Sequence, residues 1–264
     1  MVNRSGGFHK KPPDFFAIRP FIIAPMSISP RVLLSIDYEP WFALFRHYDN
    51  LTNPHQRRDL DGGFALRALD PILSLLGGAK ASFYLVGEIA DWYPEVPQKI
   101  VAAGHEVGCH GDLHRRANVL SGEEFRTDLL SARAALEKAG SGTVAAYRAA
   151  EWSFRSTASP HLATLVEEGF RVDSSLLAVP PIGDASNPTR PVVLETPAGP
   201  LLEVPPLVGT FFGRPAMLGG GWTSRLSREA RVTAAVEAAL AGGDSPVLYL
   251  HPWEVDDEHP PMDL

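Results

Sequence analysis

A distorted (β/α) barrel with seven or eight mostly parallel strands is the α/β architecture that this 264-residue sequence predicts. Three observations lead to it. Short apolar runs recur along the chain, segments with helical periodicity lie between several of them, and four runs end directly on acidic, basic or imidazole side chains. The last pattern is the habit of barrels whose chemistry sits at the carboxyl ends of the strands.

The runs are Val32–Ile36, Ala81–Val86, Glu106–Cys109, Val144–Tyr147, Phe170–Asp173, Leu201–Val204 and Val247–Leu250. Short, nearly unbroken apolar runs suit strands covered on both faces, as in a parallel sheet. Between them, Ser121-Gly122-Glu123-Glu124 reads as a capping box in which serine and glutamate satisfy free N–H groups reciprocally. Phe125, Leu129, Ala132 and Leu136 then share one helical face, and Gly140 marks the stop. Ser159-Pro160 predicts a helix with proline at its first position that ends at Gly169. Residues 62–76 and 227–241 predict two more helices. Alternating β and α segments imply parallel strands. The proline- and glycine-rich stretches 178–200 and 205–221 are expected to be long loops over the barrel mouth.

Composition narrows the classes of function. The chain is 45% hydrophobic and 21% charged, as expected of a globular protein with a sizeable core. A net charge of −7 without a basic run argues against nucleic acid or an anionic membrane as partner. The single cysteine, Cys109, allows no internal disulfide and reads as a small buried residue or, beside His110, a soft ligand. Residues 1–30 are expected to be a flexible extension, with Met26 as an alternative start, and residues 31–264 the catalytic domain. Arg19, Pro20 and Pro25 interrupt the apolar patch from Phe15 to Ile28, and no run reaches roughly 18 apolar residues, so neither a signal peptide nor a span is predicted. A cytoplasmic location is the expectation.

Asp37, Glu39, His110, His114, Arg148, Asp173 and His251 are the candidate site residues. His110 and His114 are four apart, so a helical turn would project both imidazoles from one face toward a single metal ion. Asp37 and Glu39, at i and i+2 of an extended segment, point the same way. Either can complete a two-histidine, one-carboxylate site while the other stays free, leaving positions for water and a substrate carbonyl. Each has a plainer reading: a surface histidine pair, or a carboxylate capping the next helix. Arg148 would hold a neighbouring carboxylate ionised, or form an ordinary salt bridge. His251 is lifted from a buried strand to the barrel mouth, where a histidine can protonate a leaving amine. Asp173 would orient that imidazole, or serve as a turn residue beside Ser174 and Ser175. His9, His47, His55, His105, His161 and His259 read as surface or core residues.

At these residues the chain resembles the polysaccharide deacetylases, the NodB-like carbohydrate esterase family 4, and is similar to the branch associated with exopolysaccharide gene clusters. The resemblance runs from about residue 31 to 260. Its motifs are Gly104-His105-Glu106-Val107 leading into His110-Gly111-x-x-His114, Tyr147-Arg148-Ala149, Asp173-Ser174-Ser175, Gly219-Gly220-Gly221-Trp222 and His251-Pro252-Trp253-Glu254. It implies a distorted barrel with one divalent metal ion, usually Zn2+, and hydrolytic removal of acetyl from an N-acetylated carbohydrate. By motif, Asp37 matches the general base, Glu39, His110 and His114 the metal ligands, and Arg148 the arginine that orients the base. His251 matches the general acid and Asp173 its supporting aspartate. Tyr38 separates two carboxylates that are commonly adjacent, Ala150 replaces a usual proline with Glu151 after it, and relatives often continue through another helix after the last motif.

Histidine–carboxylate sites also accept Co2+, Ni2+ or Fe2+. Two rival readings are a hydrolase of a non-sugar amide such as a cyclic ureide or imide, and a catalytically silent sugar-binding relative. Trp41, Trp152, Trp222 and Trp253 would favour carbohydrate if their rings stack on a sugar face.

Overall fold

The computed structural model describes residues 29–45, 48, 50–221 and 226–255. Residues 1–28 of the expected extension, Met26 among them, lie outside the described residues, as do Trp222, His9, His47 and His259.

In chain order the strands are β1 (Leu33–Tyr38), β2 (Ala81–Leu85), β3 (Glu106–Cys109), β4 (Ala146–Tyr147), β5 (Val172–Asp173), β6 (Val192–Thr196), β7 (Gly199–Glu203), β8 (Val208–Phe211), β9 (Arg214–Met217) and β10 (Val247–Leu250). Eight of them form one sheet in the order β10-β1-β2-β3-β4-β5-β7-β6. Every neighbouring pair is parallel except β6 with β7. All seven expected strands are present, and the architecture is the predicted curled, mostly parallel sheet with helices outside it.

The ring between β7 and β10 is closed by a strap rather than a ladder. Pro206 bridges to Val247, and the Leu207 N–H donates to the Val247 carbonyl at 3.0 Å. The N–H groups of Leu218 and Gly219 both donate to the Leu207 carbonyl, and the Tyr249 N–H donates to Gly219 at 2.7 Å. Glycine is needed in this strap: a Cβ on Gly220 would lie 2.3 Å from the Tyr249 carbonyl oxygen.

Two stretches expected as loops hold β structure instead. Residues 178–200 contain β6, and 205–221 contain the β8–β9 hairpin, whose turn puts Phe212 and Gly213 at φ 49° and 74°. That is the twist a two-residue hairpin needs, but phenylalanine seldom adopts it, so the turn carried no recognisable signature.

The helices are α1 (Pro54–Asp61), α2 (Phe64–Arg67), α3 (Leu69–Leu76), α4 (Gly87–Trp92), α5 (Glu95–Ala102), α6 (Gly122–Lys138), α7 (His161–Glu167) and α8 (Glu229–Ala241). The expected helix 62–76 is two, α2 and α3, while α1, α4 and α5 were not anticipated. The capping box of α6 is formed, with Ser121 Oγ accepting from Glu124 N–H and the Glu124 carboxylate accepting from Ser121 N–H. Pro160 caps α7 rather than opening it. Ile36, Phe83, Leu85 and Val107 of the strands join Leu69, Ile72, Ile89, Ile100, Phe125, Leu129 and Leu136 of the helices in one core. Each large apolar side chain buried there contributes about 1.5–3 kcal/mol. Among the described residues no helix is long and apolar enough to cross a membrane.

Candidate active site

Strand alternation sets the first carboxylates. Ile36 packs outward in the core, and Tyr38 also turns away, its hydroxyl donating to the Ala65 carbonyl at 2.5 Å. Ser35, Asp37 and Glu39 therefore share the inner side of the sheet. Both Asp37 and Glu39 are buried, and both face His251, at 4.0 and 3.9 Å from its Nε2.

His110 and His114 do converge, but not on a helical turn. Residues 110–114 form a bent loop in which Gly111 (φ 80°) and His114 (φ 56°) are left-handed. Such a path needs external support, and the start of α4 supplies it. Its unpaired N–H groups donate to the loop, Gly87 to the Gly111 carbonyl at 2.9 Å and Glu88 to the Asp112 carbonyl at 3.1 Å. From the other side Asp128 on α6 accepts from the Asp112 N–H at 2.9 Å and from the Arg115 guanidinium at 2.9 and 3.1 Å. The imidazole centroids end 5.0 Å apart.

Glu39 reaches both rings, with Oε2 at 2.5 Å from His114 Nε2 and 3.4 Å from His110 Nε2. One ligand atom from each of Glu39, His110 and His114 lies within 4.8 Å of the others, and all three residues are buried. His110 Nδ1 sits 2.8 Å from the Arg148 carbonyl oxygen. A carbonyl can only accept, so Nδ1 carries a proton and Nε2, turned toward Glu39, is the ring atom left to face an ion or the carboxylate. Two imidazoles and a carboxylate arranged this way fit a divalent ion such as zinc. Burial alone would raise the pKa of Glu39. The charge of His114 and hydrogen bonds from both histidines outweigh it and hold the carboxyl well below its ordinary range.

Asp37 has a different neighbour. Arg148 Nη1 pairs with Asp37 Oδ1 and donates to Ser35 Oγ at 3.0 Å. The guanidinium is almost completely buried, at 1% exposure, and every edge is engaged. Nε donates to the Ser174 carbonyl at 3.1 Å and Nη2 to Ser174 Oγ at 2.7 Å. Its carbon lies 4.1 Å from the centroid of Tyr84 and 4.8 Å from that of Trp152. Fixed charge and a planar fork suit Arg148 to hold the Asp37 carboxylate in one orientation.

His251 follows β10, its ring 3.7 Å from that of Trp253. The group on its Nδ1 is Glu254 at 3.1 Å, rather than the expected Asp173. Glu254 also accepts from the His251 N–H at 2.8 Å, so a three-residue turn orients the imidazole. Asp173 lies elsewhere, fully buried, accepting from Ser175 Oγ and packed on Glu203 of β7.

The structure thus brings Asp37, Glu39, His110, His114, Arg148 and His251 together and leaves Asp173 behind the arginine. Asp128 and Glu203 are neighbours that the sequence did not single out, while Ser174 and Glu254 stood in its motifs without an assigned role. Glu254 alone had a usable signal, its i+3 spacing from His251. Of the tryptophans, Trp253 flanks His251, Trp152 backs Arg148, and Trp41 is core, donating to the Leu60 carbonyl. Cys109 is a buried core thiol whose pKa burial pushes up. His105 accepts from the Ala81 N–H, and His161 is bonded to the Ala117 carbonyl, both structural as expected.

Fold and site together define a NodB-like (β/α) barrel. Residues 67–166 match the family model described as polysaccharide deacetylase. Residues 174–264 match a second model, described as a domain of unknown function, DUF3473. Comparison with curated proteins gives no match. Among solved structures, a protein assigned as a polysaccharide deacetylase from Mycobacterium smegmatis is similar at 22% identity and TM-score 0.62, with 87% of this chain and 79% of that one covered. Puue allantoinase aligns at 17% identity and TM-score 0.58, over 87% of this chain and 80% of the other. A protein assigned as a polysaccharide deacetylase from Pseudomonas aeruginosa PAO1 aligns at 16% identity and TM-score 0.57, with the same coverages. At these identities the likeness is one of fold.

Proposed function

We propose that this chain is a metal-dependent hydrolase that removes acetyl groups from an N-acetylated sugar of a poly- or oligosaccharide, in the setting of exopolysaccharide metabolism. One observation carries the reading: Glu39, His110 and His114 converge beside a separately held carboxylate, Asp37, and an oriented imidazole, His251. A divalent ion held by those three residues, zinc first among the candidates, supplies Lewis-acid polarisation of an acyl carbonyl and acidifies water.

The protein's own groups do the rest. Asp37, oriented by Arg148, accepts a proton from water as the water oxygen attacks the acetyl carbon. His251 gives a proton to the sugar nitrogen as the carbon–nitrogen bond breaks, and the products are acetate and a free amine. Its Nε2 lies near both Asp37 and Glu39, while Glu254 on Nδ1 holds the ring in place. Burial of both carboxylates and of Arg148 keeps these charges out of bulk water, where they would interact less strongly.

The test is acetate release from N-acetylated oligosaccharides by zinc-loaded protein, with cyclic ureides assayed in parallel. Acetate formation that is lost in Asp37→Asn supports the reading. Ring opening of the ureide without acetate release contradicts it.

A further inference from the structure

Behind Arg148 lies a second acidic cluster that the reaction above does not use. Asp173 and Glu203 are both fully buried and are register partners across β5 and β7. Each has one oxygen accounted for: Asp173 Oδ1 accepts from Ser175 Oγ at 2.5 Å, and Glu203 Oε1 from the Leu176 N–H at 3.2 Å. The remaining oxygens, Asp173 Oδ2 and Glu203 Oε2, are buried without a donor, although the two side chains are within hydrogen-bonding contact of each other. Two ionised carboxylates cannot rest against one another in that way, but a single proton between them turns one oxygen into the other's donor.

We propose that Asp173 and Glu203 share one proton and that the pair positions Arg148, and through it Asp37, making Glu203 a positioning residue. The positioning half rests on the deacetylase reading; the shared proton does not. The connection is short. Ser175 Oγ donates to Asp173 and accepts the Ala149 N–H at 2.8 Å, tying the turn to the backbone next to Arg148. Ser174, between the paired aspartate and Ser175, gives the guanidinium both its carbonyl and its hydroxyl. Displacing Asp173 would therefore move two of the contacts that aim Arg148 at Asp37.

The charges around the pair agree with one proton. Burial pushes Asp173 up, and burial, then the charge and hydrogen bond of Asp173, push Glu203 well above the ordinary carboxylate range. Arg148, at the end of β4, favours the ionised form of Glu203 and stabilises the one remaining negative charge. Tyr147 on β4 and Tyr84 on β2 are the other titratable groups near Asp173, and both are buried phenols with raised pKa.

Wild type, Glu203→Gln and Glu203→Ala test this by two readouts. The first is melting temperature from mildly acidic to mildly alkaline pH. The glutamine amide is a permanent donor to Asp173, whereas the wild-type pair loses its proton as pH rises. Wild type should therefore fall in stability relative to Glu203→Gln with increasing pH. A difference between them that is constant with pH overturns the shared proton, whether or not acetate release is ever observed. The second readout is kcat and KM for acetate release with metal content matched. Glu203→Gln should stay close to wild type, while Glu203→Ala should lose kcat on the order of tenfold or more with little change in KM, the scale seen when supporting groups are removed. Equal damage in both variants, or undiminished kcat in Glu203→Ala, overturns the positioning role.

Discussion

Asp37 and Glu39 are two positions and one methylene apart, yet their surroundings assign them different work. Glu39 meets two imidazoles, and Asp37 meets a guanidinium. Asp37→Asn should leave metal binding intact and lower acetate release by about 10²–10⁴-fold, the usual worth of a positioned base. A loss of metal in that variant would place Asp37 among the ligands instead. Glu254→Ala should lower kcat by roughly 10–100-fold with metal retained, because an imidazole without its partner turns freely. Unchanged turnover there would deny Glu254 its orienting role. The identities at the mouth of the barrel were legible from the sequence because strand ends and residue chemistry coincide. Asp173 was assigned to the wrong partner because nothing local reveals that β7 brings Glu203 against it.

Elements position these residues through caps and straps. The α6 capping box was readable because Ser121 and Glu124 lie three residues apart, and Ser121→Ala should cost about 1 kcal/mol, measured by denaturant unfolding. The 205–221 strap was not readable, since its pairing partner Val247 is some forty residues distant in the chain. Gly220→Ala forces a methyl against the Tyr249 carbonyl and should destabilise by about 1–3 kcal/mol. An unaltered melting temperature would mean that the strap does not close the barrel. The His110–His114 loop makes the same point: the spacing is a sequence property, but its left-handed path depends on α4 and on Asp128. Parallel strands were recognisable because burial on both faces writes a continuous apolar run. The short helices α1, α4 and α5 lack such a run, and their packing decides them.

For the whole molecule, buried acids set the response to pH. Burial raises Asp61, Asp173 and Glu203, so folding favours their protonated forms. Their contribution to stability is full below the ordinary carboxylate range and is lost as pH rises through their elevated values. Glu39 has the opposite sign. In the metal-free protein its contribution is present above its ordinary value of 4.5 and disappears as pH falls below it. The melting temperature of metal-free protein should therefore peak on the acid side of neutral and decline toward alkaline pH, less steeply in Asp61→Asn. A profile that rises with pH through neutrality would contradict this.

The most direct test of the central claim, that Glu39, His110 and His114 hold one divalent ion, is zinc titration by calorimetry, with elemental analysis of native protein, His110→Ala and Glu39→Ala. One ion per native chain, and loss of tight binding in both folded variants, is the predicted result. Native protein that takes up no ion, or variants that bind zinc as tightly as the native chain, would contradict the account.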